Sequence, residues 1–224
     1  MTVSGKPDGL DRPMAALLFP DTAIEVVRGV LLLGTVVDAA IAVDVAEHRR
    51  RQTVGLGGVA HPRLLRRLLG VPTQEQVEDP LLHAETSLLP AGLVERDEGS
   101  GVRRLLRPPL RIAAVAVRAR REAGHRQVRA ASLFAGFSPR WVVAERPRVD
   151  PSVVVAAAVY DVGIATHSPA PDVVVQAGPP RTQAAPEWAW CLAEQVYAEL
   201  VAPLSTAGVA TARNIAVPSW LIPT

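Results

Sequence analysis

The chain is 224 residues long, carries a formal net charge of +2 and holds one cysteine, Cys191. That length permits a sizeable core in one large domain or two small ones. An internal disulfide is excluded, and with 49% hydrophobic but only 4% aromatic residues the core must be built on Ala, Val and Leu.

The charge is unevenly placed. Residues 99–149 carry twelve arginines against Glu122 and Glu145, a local +10, whereas residues 1–48 and 150–224 each come to −4. A basic block of this density points to a polyanionic partner such as nucleic acid, met mainly at its phosphate backbone. A general preference for Arg over Lys explains why Lys6 is the only lysine, but not the clustering. The N-terminus lacks the basic-then-apolar order of a signal peptide. The longest apolar stretch, 29–46, is interrupted by Asp38 and Asp44, which argues against a membrane span. The expectation is a cytoplasmic protein with no membrane association.

Residues 1–13 show no periodicity and read as a disordered tail. Pro20-Asp21-Thr22 supplies a helix cap, and Ile24, Val27, Val30 and Leu31 follow at helical spacing. With Gly29 and Gly34 as weak points, residues 22–33 and 36–48 read as two helices. Residues 14–75 then form an α-helical N-terminal region suited to a protein contact or a homodimer. Arg49-Arg50-Arg51 would close a helix at its C-terminus, where cations are favourable. The glycines of Thr53–Gly58 suggest a phosphate loop, but the buried strand such a loop needs is missing, so the stretch reads as a connector. Pro62–Leu69 is a short amphipathic helix with Arg63, Arg66 and Arg67 off its apolar side. Pro72-Thr73, with Glu75 and Gln76, opens another that breaks at Pro80 and ends near Thr86.

Ser87–Arg96 and Val102–Arg107, joined by a turn at Asp97–Gly101, read as two strands. They could be the wing of a winged helix, Gly92–Asp97 with Val102–Arg107, behind a recognition helix at Leu81–Leu89. They could instead lead into a larger sheet. Glu75, Glu78, Asp79 and Glu85 would repel a phosphate backbone, which favours the second arrangement. After Pro108-Pro109 comes an apolar strand, Leu110–Arg118, suited to burial on both faces. Alternation puts Ala114, Ala116 and Arg118 on one face and Val115 and Val117 on the other. A helix from Ala119 to about Phe134 would carry Arg120, Arg121, Arg126 and Arg129, with His125 on its solvated basic face.

Further along, Pro139–Glu145 is a strand, and Asp150-Pro151-Ser152 opens a helix that runs to Tyr160. Val162–His167 and Asp172–Gln176 are strands. Thr182 caps a helix from Ala184 to Val201, with Trp188, Leu192, Val196 and Leu200 on one face. Trp188 and Cys191 read as core, Trp190 as a contact residue. Residues 76–202 thus make an α/β domain, and residues 203–224 a C-terminal arm. Asp161, His167 and Asp172 lack the spacing of a metal site.

Several segments in this order match a known pattern: Leu89-Pro90-Ala91-Gly92-Leu93-Val94-Glu95, Val115-Ala116-Val117-Arg118, Arg126-Gln127, Trp141–Glu145 and Val162-Gly163-Ile164. The stretch from Glu85 to Gly178 resembles the restriction-endonuclease-like, PD-(D/E)xK nuclease superfamily. The resemblance implies a central mixed sheet flanked by helices. It further implies a site in which two carboxylates hold Mg²⁺ beside the scissile phosphate and a Lys stabilises charge. Here the matching positions hold Glu95, Ala116 and Arg118. Ala116 offers no oxygen, and the Arg118 guanidinium stays protonated and cannot act as a base. The implied protein is therefore a catalytically inactive relative with a degenerate active site and no cofactor. It would bind DNA or a protein–DNA assembly through Arg103, Arg104, Arg107, Arg111, Arg120, Arg121, Arg126 and Arg129. One alternative is an active Mg²⁺-dependent endonuclease in which Glu122 takes the missing place beside Glu95 and Glu85 adds a ligand. Others are a winged-helix transcriptional regulator and a structural module docking on an acidic protein.

Overall fold

Val26, Val27, Val30, Val36, Val37 and Ile41 are β-branched, and the stretch that holds them folds as a hairpin of strands, not as the two helices expected of it. The structure is a computed structural model and describes residues 10, 12–18, 24–73, 76–87, 89, 92–98, 101–167, 170–180 and 184–205. The expected caps at Asp21-Thr22 and Thr182, most of the N-terminal tail and the arm beyond Ser205 lie outside these residues.

In chain order the first elements are α1 (Arg12–Leu18), β1 (Glu25–Leu32), β2 (Thr35–Val43), α2 (Val45–Val54), α3 (Pro62–Leu69), β3 (Val77–Glu78) and α4 (Pro80–Thr86). They are followed by β4 (Val94–Arg96), β5 (Gly101–Arg104), β6 (Leu110–Ala119), α5 (His125–Ser132), β7 (Arg140–Ala144), α6 (Pro151–Val159), β8 (Val162–Thr166), β9 (Asp172–Val175) and α7 (Pro186–Ser205). The described residues fall into two compact units. The first joins those up to Val43 with Arg111–Ala184, and the second joins Asp44–Leu110 with those from Ala185 on.

In the first unit six strands form one mixed sheet in the order β1-β2-β6-β7-β8-β9. β6, β7 and β8 run parallel, while β1 is antiparallel to β2 and β9 to β8. Leu32 pairs with Thr35, so β1 and β2 are joined by two residues, Leu33 (φ 48°) and Gly34 (φ 74°). Two positive-φ residues make a primed turn, whose twist matches that of the flanking strands. The helical reading failed for a local reason. At Gly29 (φ 69°) the register breaks between Val27 and Val30, a bulge that puts both valines inside at a spacing of three and so imitates a helix. An N-terminal helical module for dimerisation therefore has no helices to rest on over residues 24–43.

Ala114, Ala116, Trp141, Val143 and Ala165 line one face of this sheet and pack with Leu10, Met14 and Ala15. Trp141 pairs in register with both Ala116 and Gly163. A Cβ on Gly163 would come within 2.3 Å of the Trp141 ring, so the indole needs small neighbours. The parallel crossovers carry α5, which lies against β7, and α6, which lies against β8 and α5. The helix expected from Ala119 begins later. β6 stays paired to β7 through Ala119 and Ala144, and Gly124, in extended conformation, is the N-cap of α5. Arg120, Arg121 and Glu122 therefore sit in the turn between strand and helix.

In the second unit α3 spans the residues expected of it. Its neighbour α2 ends at Gly55 in the left-handed conformation, where the Leu56 N–H reaches the Arg51 carbonyl at 2.9 Å, a Schellman close; of the expected connector Thr53–Gly58, the first two residues belong to α2 and only 55–58 connect. Of the helix expected from Pro72, residues 72 and 73 are not helical, β3 follows, and α4 begins only at Pro80, capped by Asp79. β4 and β5 do not lead into the larger sheet. They pair with each other and with β3 in a separate antiparallel sheet of order β3-β5-β4.

This unit is centred on a charge. Arg51 is fully buried, and its guanidinium donates to both Glu194 oxygens at 2.7 Å, to Glu47 Oε1 at 2.8 Å, and to the Gly57 and Arg107 carbonyls. Glu194 also accepts from the Val59 N–H and from Trp190 Nε1, each at 2.8 Å. Burial alone would lower the Arg51 pKa, but Glu194 and then Glu47 hold it above its ordinary value. Burial likewise would raise the Glu47 carboxyl, and the hydrogen bonds from Arg50 and Arg51 hold it below. The arginine triplet is thus not accounted for by the helix dipole; its last member is the hub of the interior. This also corrects part of the face assigned to α7, on which Leu192 and Val196 are buried as expected. Trp190 is core and Trp188 is 46% exposed, because buried Glu187 and Glu194 belong to the inward stripe.

Replacing Glu194 by Ala strands a buried guanidinium, and urea unfolding should show a loss of about 3–5 kcal/mol. Cys191 is buried in the apolar cluster with Leu64, Leu65, Leu68, Leu93 and Trp190, and burial, helped by Glu194, pushes its thiol from 9.0 to about 11. The folded state therefore keeps the proton longer than the unfolded one. Its contribution to stability is intact below pH 9 and is lost as the pH rises towards 11. Native protein at pH 8 should resist alkylation by iodoacetamide, and urea-unfolded protein should not.

Candidate functional site

The side chain that meets Arg118 is Asp38. β2 is the neighbour of β6 in the sheet, and Asp38 on β2 is fully buried. Its Oδ1 accepts from Arg118 Nη2 at 2.6 Å and from the Gly29 N–H at 2.9 Å. Its Oδ2 accepts from Arg118 Nε at 2.7 Å and from the Leu10 N–H at 3.0 Å. The bulge in β1 is what turns the Gly29 N–H towards this carboxylate. Four donors, two of them from a bidentate guanidinium, use the lone pairs that a metal ion would need. Arg118 itself remains 36% exposed at its side chain.

The nuclease resemblance puts Glu95 and Arg118 on strands of one sheet, and here their strands, β4 and β6, belong to different sheets. Glu95 lies on β4, in the other sheet and the other unit, where it is exposed and ion-paired with Arg103. Glu122 lies exposed in the turn after β6, not on a helix. Glu85 belongs to α4, and its side chain is outside the described residues. Among the described residues no three His, Cys, Asp or Glu side chains are grouped so as to hold a metal ion. In the sequence Asp38 is inconspicuous, because it reads as an interruption of the apolar stretch 29–46. An Asp within the β-branched run Val36–Val43 is the signal that would have found it.

The arginines separate into two sets. In the second unit, Arg103 is held by Glu95. Arg104 donates to the Leu68 carbonyl at 2.9 Å and lies 5.2 Å from the Trp190 ring centre. Burial, and then the charge of Arg107, lowers its pKa. Neither is a free surface cation, whereas Arg107 is exposed. In the first unit Arg111, Arg120, Arg121, Arg126 and Arg129 are exposed. Arg140, in the same basic block, is fully buried and donates to the Tyr160 carbonyl at 2.6 Å, so it takes no part in a surface.

Two arginines were passed over. Arg146 and Arg148, in the turn after β7, are exposed, and the Arg146 N–H donates to the Arg121 carbonyl at 3.0 Å. The turns that follow β6 and β7 are therefore tied together at the backbone. Beside them Asp150 caps α6 and accepts from Ser152 Oγ at 2.6 Å, while His125 Nε2 lies 3.1 Å from the same hydroxyl. The Ser152 proton is directed at Asp150, so His125 donates to this serine and does not activate it as a nucleophile. The hydrogen bonds from Ser152, helped by the charges of His125 and Arg148, hold the Asp150 carboxyl below its ordinary value.

No protein-family model, no curated protein and no solved structure matches this chain.

Asp38→Ala would leave the Leu10 and Gly29 N–H groups without their acceptor and Arg118 without its counter-ion. Thermal and urea unfolding should report a loss of about 3–5 kcal/mol. Asp38→Asn keeps the shape but replaces an acceptor oxygen by a donor, and should also destabilise. A stable Asp38→Ala variant would show that this carboxylate does not hold the sheet to residue 10.

Proposed function

We propose that this is a catalytically inactive, nuclease-like protein that binds nucleic acid through phosphate contacts made by arginine. One observation carries the first half of this reading. In a nuclease of this kind two carboxylates hold Mg²⁺ beside the scissile phosphate. Here the carboxylate beside Arg118 is Asp38, whose oxygens are taken by Arg118 and two backbone N–H groups. Ala116, two residues before Arg118 on β6, supplies no ligand, and Mg²⁺ binding demands oxygen ligands in near-octahedral array. Arg118 acts as an internal counter-ion, a role that its permanent charge suits and general-base catalysis does not. The second half rests on the exposed arginines of the first unit, since backbone phosphates are the partner that such a surface neutralises best.

A winged-helix regulator is the second reading. It is favoured by the separate sheet that β4 and β5 make with β3 directly after α4. Glu78 and Asp79 beside α4 count against phosphate contact there. The two readings part on sequence preference: the first binds any duplex, the second one operator above others.

Gel shifts with a mixed-sequence duplex should show binding that weakens by about a few hundred-fold between 50 and 200 mM salt, as expected for about five phosphate contacts. Plasmid incubated with Mg²⁺ or Mn²⁺ should stay intact. Absence of binding at low salt would remove the nucleic-acid reading. Cleavage by the wild type that disappears in Asp38→Ala or Glu95→Ala would remove the inactive one.

A further inference from the structure

The parallel strands β6 and β7 end side by side, and each runs into a turn that carries two arginines: Arg120 and Arg121 after β6, Arg146 and Arg148 after β7. In sheets of this kind ligands meet the chain at the carboxyl ends of parallel strands. The two turns are fixed to each other by the Arg146 N–H to Arg121 carbonyl bond of 3.0 Å, and Pro147 stiffens the second. All four arginines are exposed, as is Arg126 in the first turn of α5. The nearby acids compensate only in part. Asp150 is occupied as the cap of α6 and acceptor of Ser152, Glu145 is half-buried and already engaged, and Glu122 is exposed in the first turn.

We infer that these two joined turns are the nucleic-acid interface, and that Arg146 and Arg148 share the phosphate contacts with Arg120, Arg121 and Arg126. The occupant is a duplex. Single strands are held by aromatic platforms on which bases stack, and neither turn, 120–124 or 145–150, contains an aromatic residue. Trp141 and Phe134 of the same unit are buried, and the exposed Tyr160 lies at the far end of α6 from Ser152. A pair of linked turns presents its guanidinium groups on a fixed base, so less ordering is needed when a phosphate backbone binds.

This inference rests on the nucleic-acid reading above and is tested separately from it. Wild type, Arg146→Ser/Arg148→Ser and a control, Arg49→Ser/Arg63→Ser, are compared for binding to a mixed-sequence duplex across a salt series. All four substituted side chains are exposed, and an unchanged thermal melt confirms folding. The first variant should bind about ten-fold or more weakly at low salt. Its plot of log affinity against log salt should be shallower by about 1.8, or about 0.9 for each lost phosphate contact. The control should stay within about two-fold of wild type, since the inference gives its side chains no phosphate contact. A duplex-binding wild type with an unaffected Arg146→Ser/Arg148→Ser variant would overturn the location and leave nucleic-acid binding standing. Equal losses in both variants would reduce the effect to net charge and overturn it too. Preference for a single strand of the same length would overturn the duplex. A wild type that retains no nucleic acid at low salt removes both the inference and the reading beneath it.

Discussion

A carboxylate with no access to water must take every hydrogen bond from the protein, and the first unit is built around one that does. Asp38 ties three separate stretches of chain to β2: residue 10 through its N–H, β1 through the Gly29 N–H, and β6 through Arg118. The bulge in β1 exists in the same geometry, because a regular strand would turn that N–H elsewhere. The proposed loss of catalysis follows from the same bonds. Oxygens engaged by a bidentate guanidinium have little left to offer a cation, and a paired Arg118 is a structural charge before it is anything else.

The second unit uses the same device with the sign reversed. Arg51 is the buried ion, and Glu194, Glu47 and two carbonyls are arranged about it. Glu194 extends the network to the Val59 N–H and Trp190, so α2, the loop before α3, and α7 are held to one point. The apolar cluster of Leu64, Leu65, Leu68, Leu93, Val102 and Trp190 supplies bulk burial, which is non-directional. Buried ion pairs fix relative placement, because a misplaced partner leaves a desolvated charge uncompensated.

Burial and local partners decide which of the many arginines face solvent. Arg51, Arg118 and Arg140 are used inside or at the edge of the fold, and Arg103 and Arg104 are engaged by Glu95 and by the Leu68 carbonyl. What remains exposed in the first unit lies mostly in the turns and helix that follow β6 and β7. A sequence total of charge cannot make this division, since it counts buried and solvated guanidinium groups alike.

The sequence alone determined the elements whose signals are local. The strand at Leu110–Arg118 with its alternating faces, the strands at Trp141 and Ile164, and the helices at Pro62 and Pro151 were legible from composition, alternation and capping residues. It misassigned residues 24–43, where a bulge gave strand valines the spacing of a helix. It misplaced the two tryptophans of α7 as well, where buried glutamates did not look like core. Only the tertiary structure decided that β2 lies beside β6, that β4 and β5 pair outside the larger sheet, and that Asp38 meets Arg118. Strand neighbours are chosen by burial and by ion pairs between residues far apart in the chain, eighty positions in the case of Asp38 and Arg118. No pattern confined to a window of sequence contains that information.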